Sequence, residues 1–448
     1  MRIAILPLAR PTFDVPYAEA ALTRMLATLD AWAEAGGHVL TGPRTLLMEA
    51  SDDALAQAEG ADVLLILQAT FTDAAFGLRA ASTFPGRVAV WAAREPRAGG
   101  RLRLNAFCGL NLLSHALGLH RRPFAWAYGD DAELDALLAG PLPTPAEGAP
   151  VAAAPVPVRA LRIGRIGAHP DGFDTCAYDA PRLRVLTGAE VVTTDLSALF
   201  DRARAAPEAA VAPYRAKAAA LEGAAALDAG EMDRSLRLAA ALDGLRREQG
   251  LDAMAIRCWP ETFTEYGGAV CGPVSMLGEA HVPCACEADV YGAVTQAILQ
   301  DVARAPVFLA DIVDVDAETA VVWHCGQAPE SMAAAPPAAT VHTNRRQALL
   351  YEFALRPGRV TLFRLSQARG RHQVVIATGT AMDAPMAFTG TSGTIRWDRA
   401  QVAEDLIASG LEHHMALAYG DHAEALRGVA AGLGLPVLEL GAPGEDAA

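Results

Sequence analysis

HVPCACEADVYGAVTQAILQDVARAPVFLADIVDV, residues 281–315, changes character halfway along, and that change decides the fold. It opens as a short apolar strand that ends at Glu287. It continues as a helix over 290–304 with Asp289 as its N-cap, and after Ala305 it turns into a β-rich run. Upstream of this stretch strands alternate with helices; downstream, strand follows strand. Alternation implies parallel βαβ units, whereas consecutive period-two strands imply antiparallel hairpins.

Working outward, residues 1–145 carry the strand candidates RIAILPL (2–8), HVLTG (38–42), ADVLLILQ (61–68), RVAVWA (87–92) and PFAWAYG (123–129), with helices over 17–36, 52–59 and 105–119. They read as a doubly wound α/β domain. The Pro- and Ala-rich segment 140–158 reads as a linker. A second doubly wound domain is expected over 159–305, from ALRIGRIG and AEVVTTDL through a helical stretch at 197–249 to DAMAIRCWP, a helical piece at 273–280 and HVPCACE. Residues 306–448 should form a β-rich, barrel-like or sandwich domain, with 327–340 as a surface loop and a closing helix over 422–433.

Composition narrows the class. The 448 residues are 52% apolar and 20% charged with a net charge of -15, which suits a globular protein and disfavours nucleic acid or an anionic membrane as partner. The N-terminus shows no signal peptide and no apolar run reaches the length of a membrane span, so a cytoplasmic protein acting on a small molecule is expected. Seven cysteines without a CxxC pair argue against a disulfide framework or a structural zinc site.

The chemistry-bearing candidates cluster around the opening stretch. Glu287 stands at the carboxyl end of a strand, the edge where doubly wound sheets bind ligands. A tight turn over 316–319 sets Asp311 opposite His324 in a hairpin, with Cβ atoms about 5 Å apart. Carboxylates with imidazole suit a hard divalent cation, and manganese, magnesium and cobalt all fit such ligands. His413 and His414 are adjacent in an extended segment, so only one should face a given site. Arg10 and Phe13 after the first strand, His169 in the loop 164–179, and Trp259 in RCWPETF are candidate substrate contacts. The basic run RLSQARGRH (364–372) is a candidate reader of an anionic substituent.

With CEADVYGA around Glu287, LADIVDV around Asp311 and EHHMALAYGDH around His414, the chain resembles the L-fucose and L-arabinose isomerase family over roughly residues 160–430; the first 140 residues agree in fold type. The resemblance implies a cytoplasmic aldose–ketose isomerase that holds manganese through Glu287, Asp311 and His414, with His324 as an additional histidine contacting the sugar. It also implies a homo-oligomer, trimer or hexamer, in which the N-terminal domain of one subunit closes the pocket of another, giving Arg10 and Phe13 a role in trans. Glu287 and Asp311 would shuttle a proton between C2 and C1 through a cis-enediol, whose charge a metal ion stabilises. A non-catalytic sugar-binding protein and a metal-dependent epimerase or lyase are the competing readings.

Overall fold

The structure, a computed structural model, describes residues 1–442; the end of the expected third domain, 443–448, lies outside them. Five strands, β1 (Arg2–Leu8), β2 (Val39–Thr41), β3 (Val63–Gln68), β4 (Arg87–Ala92) and β5 (Ala125–Tyr128), form a parallel sheet in the order β2-β1-β3-β4-β5. β3 reads VLLILQ and is buried along its whole length, as a strand covered on both faces must be. The helix Val15–Gly36 starts where the Asp14 carboxylate accepts from Tyr17 N–H. It stops at Gly37, whose φ of 64° suits a residue without Cβ.

The second parallel sheet, β6 (Arg162–Ile166), β7 (Glu190–Thr194), β8 (Ala253–Ile256) and β9 (Cys284–Ala285), has the order β7-β6-β8-β9. In both sheets the winding reverses after the first strand, which opens a crevice at the carboxyl ends of β1 and β3 and of β6 and β8. The stretch 197–249 is three helices, Leu196–Arg204, Glu208–Ala219 and Ala229–Gln249.

Beyond residue 305 come β10 (Phe308–Val315), β11 (Thr319–His324), β12 (Ala338–Val341), β13 (Ala348–Ala354), β14 (Gly358–Ser366), β15 (Gln373–Ala381), β16 (Thr391–Trp397), β17 (His414–Tyr419) and β18 (Val437–Glu439). They form one mixed sheet of nine strands, in which β15 pairs with both β14 and β16. β13–β16 and β15–β18 are parallel, so the sheet is not the purely antiparallel one expected. The segment 327–340 is not a surface loop either. Gln327 and Ala328 are buried, Ser275 Oγ donates to Ala328 O at 2.6 Å, and β12 begins at residue 338. Nor does the linker segment hang free: Ala149 bridges to Val437, and Val156 N–H donates to Gly428 O at 2.8 Å.

The helix Ala106–Leu119 is buried on nearly every face, because it lies between the first sheet and the nine-stranded one. Asn111 Nδ2 donates to Leu411 O at 2.8 Å and His115 Nδ1 meets Gly410 O at 2.9 Å. Asp314, fully buried on β10, receives Arg97 and the Tyr128 hydroxyl. The helix start is held by the buried Glu95 carboxylate, which accepts the backbone N–H groups of Arg103, Leu104 and Asn105, each at 2.7 Å. Glu95→Ala should therefore lower stability by about 1–3 kcal/mol through unmet buried donors, read as a lower urea midpoint. An unchanged midpoint would show that water replaces the carboxylate.

Candidate active site and metal centre

Glu287 follows β9 in a left-handed conformation, φ 58°, and Ala288 continues it at φ 53°. Two successive non-glycine residues in this region carry strain of the kind found at ligand sites, and here they aim the Glu287 carboxylate between the sheets. Asp289 then caps the helix Val290–Ala303, its Oδ1 accepting Gly292 N–H at 2.7 Å.

Asp311 lies on β10 directly opposite His414 on β17. The hairpin partner expected for it is His324, and the structure corrects this. Near the turn the register is as expected, Asp314 facing Val321 and Val315 facing Ala320. A β-bulge between Ile312 and Asp314 then moves the pairing by one residue, so Asp311 faces Trp323. His324 nevertheless reaches the same place, its ring stacked on His414 with centroids 5.7 Å apart.

His413 enters the site too, contrary to the alternation argument. β17 begins only at His414, so His413 sits in a bend and its ring lies 3.9 Å from that of His414.

The hydrogen bonds fix which nitrogen of each imidazole is free. His414 Nδ1 faces Asp289 Oδ2 at 2.9 Å, so it carries the proton and leaves Nε2 with a lone pair. His413 Nε2 donates to Glu287 Oε2 at 3.0 Å. His324 Nδ1 accepts the Cys325 N–H at 2.9 Å, which puts the proton of the neutral ring on Nε2. His414 Nε2 thus offers a lone pair, whereas the neutral His324 ring presents an N–H.

His414 Nε2 lies 3.5 Å from Asp311 Oδ1 and 3.8 Å from Glu287 Oε2. Asp311 Oδ1 and His414 Nε2 are buried without a hydrogen-bond partner. Unpaired buried polar atoms are what a bound cation would satisfy, and the cluster around His414 can hold a metal ion in either of two groups, Glu287 with His413 and His414, or Asp311 with His324 and His414. Cys176 and Cys108 border it. Burial pushes both thiols well up, leaving oxygen and imidazole as its ligand chemistry.

The two acids are held in unequal states. Burial alone would raise Glu287, but the hydrogen bond from His413, the nearby imidazoles and the Trp259 indole N–H at 3.1 Å bring it down to about 2. Asp311 has no such donor, and burial, reinforced by the Glu287 charge, pushes it up to about 7. Beneath His414, Asp289 pairs in two bonds with Arg364, at 2.6 and 3.1 Å, both side chains 1% exposed. The guanidinium and His414 together hold the Asp289 carboxyl low against its burial.

A cavity opens in front of Glu287 and Asp311. Arg10, Phe13, Trp259 and His324 line it, all from the same chain.

His169 is not among the lining residues. Its loop sends Phe173 and Cys176 inward instead, Phe173 meeting the Trp259 ring at 5.4 Å and Cys176 Sγ lying 3.8 Å from Glu287 Oε2. The basic run is also placed elsewhere, since Arg364 is committed to Asp289 and Arg371 pairs with Glu147 at 3.0 Å. Residues that the sequence did not single out, Asn105, His342 and Arg345, complete the walls.

Known proteins show the same arrangement of segments. Residues 4–136 match the fucose/sulfoquinovose isomerase N-terminal domain, which extends the resemblance into the first 140 residues, and residues 323–441 match the L-fucose isomerase C-terminal domain. Among curated proteins, the sulfoquinovose isomerase of Alkalicoccus urumqiensis is 33% identical over 98% of this chain and 99% of its own length. That of Priestia aryabhattai is 30% identical over 95% of this chain and 96% of its own, and that of a Clostridium species 30% over 94% and 95%. Among the described residues, no helix is long and apolar enough to cross a membrane.

Proposed function

The chain belongs to the L-fucose isomerase family and is an aldose–ketose isomerase, and on that premise we propose that it converts sulfoquinovose, a hexose bearing a sulfonate at C6, into the corresponding ketose. The relatives that align along nearly the whole chain carry that name. The observation that carries the mechanism is that Glu287 Oε2 and Asp311 Oδ1 both approach the buried His414 Nε2, at 3.8 and 3.5 Å.

A divalent ion held by Glu287, Asp311 and His414, manganese by the family resemblance, would supply the positive charge that the sugar's O1 and O2 need as the enediol develops. Proton movement falls to the carboxylates: one takes the C2 proton and the pair returns it at C1. Trp259 and His413 hold both oxygens of Glu287 in place. His324, with its proton on Nε2, donates to a substrate hydroxyl. Phe13, Phe71 and Phe263 keep the cavity walls apolar and exclude competing water. Asp289 keeps the His414 proton on Nδ1.

The test is proton exchange. Metal-stripped protein in deuterated water should exchange the C2 proton of sulfoquinovose only after Mn²⁺ is added, with ketose accumulating in parallel. No exchange with this sugar or with any of a broad panel of aldoses would overturn the isomerase mechanism.

A further inference from the structure

We infer that Arg10 and Arg345 form an anion subsite in the cavity beside Trp259, and that this pair selects an aldose sulfonate over a neutral aldose. The inference rests on the substrate reading above and adds the groups that read the sulfonate.

Trp259 is the ruler. Its indole N–H reaches Glu287 Oε1 at 3.1 Å, while the Arg10 and Arg345 guanidiniums lie 5.3 and 5.8 Å from its ring centroid. One indole thus borders both the Glu287 carboxylate and two cations, and a hexose held at C1 and C2 by Glu287 would extend its far end along that ring toward them. Among the described residues, Arg345 makes no ion pair, and Arg10 has one, Asp73 at 2.5 Å. Glu287 and Asp311 are the acids lining the cavity, and neither pairs with Arg10 or Arg345. Two guanidiniums against the one carboxylate paired with them leave this part of the wall positive.

The loops bearing them are fastened together by Arg101, whose Nε donates to Asn344 Oδ1 at 2.8 Å and whose second arm donates to Thr12 O at 2.9 Å. His342 Nδ1 accepts the N–H groups of Asn344 and Arg345 at 3.2 Å each, so its Nε2 carries a proton on the same wall. Incomplete hydration and the nearby Arg10 charge pull the Arg345 guanidinium below its ordinary range, a repulsion that a bound oxyanion would relieve. Guanidinium suits a sulfonate because its parallel N–H groups meet two oxygens at once.

The experiment compares wild type, Arg345→Leu and Arg345→Lys with sulfoquinovose and with a neutral aldose of the same ring stereochemistry. A charge-assisted pair lost should lower the sulfonate-over-neutral ratio of kcat/KM by about 10- to 100-fold, mostly through KM, with Lys recovering part of it. An equal fall for both sugars would make Arg345 structural, and an unchanged ratio would place the anion elsewhere; either overturns the subsite. Methanesulfonate titration of tryptophan fluorescence, lost in Arg345→Leu, reads the subsite without turnover. Methanesulfonate binding to a protein that exchanges no aldose proton would sink the isomerase reading and leave the subsite standing.

Discussion

Asp311→Asn is expected to lower kcat/KM by about 10²–10⁴-fold, the usual worth of a positioned acid–base group, while leaving the metal-free protein as stable as wild type or more so. The second half of that result is the diagnostic one. Asp311 Oδ1 has no hydrogen-bond partner and its carboxyl is held up at about 7, so above pH 7 the fold holds a buried charge that the unfolded chain carries freely in water. A carboxyl raised in the folded state costs stability progressively from its unfolded value up to its folded one. The amide removes that cost without changing shape. Thermal melts at pH 8 in chelator, beside kinetics with saturating Mn²⁺, check both halves. Near-full activity would remove Asp311 from the reaction, and a marked loss of stability would show that its carboxylate is paired after all. Glu287→Gln should cost comparable activity, but it also places an amide against the proton of His413 and so should lower stability.

Asp289→Ala should destabilise the protein by about 3 kcal/mol, the lower end of the range for breaking a buried ion pair, because Glu412 remains 4.0 Å from Arg364. The same change removes the helix cap and the acceptor of the His414 proton. Metal affinity should fall by about 10- to 100-fold, as for other residues that orient a ligand histidine. Replacing the pair together, Asp289→Leu with Arg364→Met, separates the effects: stability should return while metal affinity does not. Recovery of both would mean that His414 needs no orienting carboxylate.

The α/β part of the fold was legible because β1, β3 and β4 are continuous apolar runs separated by helical lengths of chain, and that pattern admits few alternatives. The approach of Glu287 and Asp311 to His414 was legible because each sits in a segment that resembles the family's. What could not be read is whatever depends on a single residue of register. The bulge between Ile312 and Asp314 carries no glycine or proline to announce it, and it took Asp311 away from His324. Whether His413 is inside or outside its strand is likewise decided by where pairing with β10 begins. The charged run 364–372 misled because Arg364 lies on a buried strand facing Asp289 and has no access to the cavity. Arg345 was missed because its irregular loop offers no periodicity, and nothing nearby in sequence hints that Arg10 and Trp259 lie beside it.

The packing of segment 140–158 against Val437 and Gly428 has a consequence for synthesis. The chain leaves its first sheet through this segment and enters the second, yet the surface on which the segment rests is made much later, by the helix Ala423–Leu433 and β18. On the ribosome the early parts can fold in order of emergence, but the connection between them has nowhere to dock until the helix Ala423–Leu433 and β18 have emerged. An early join is thus held by late residues.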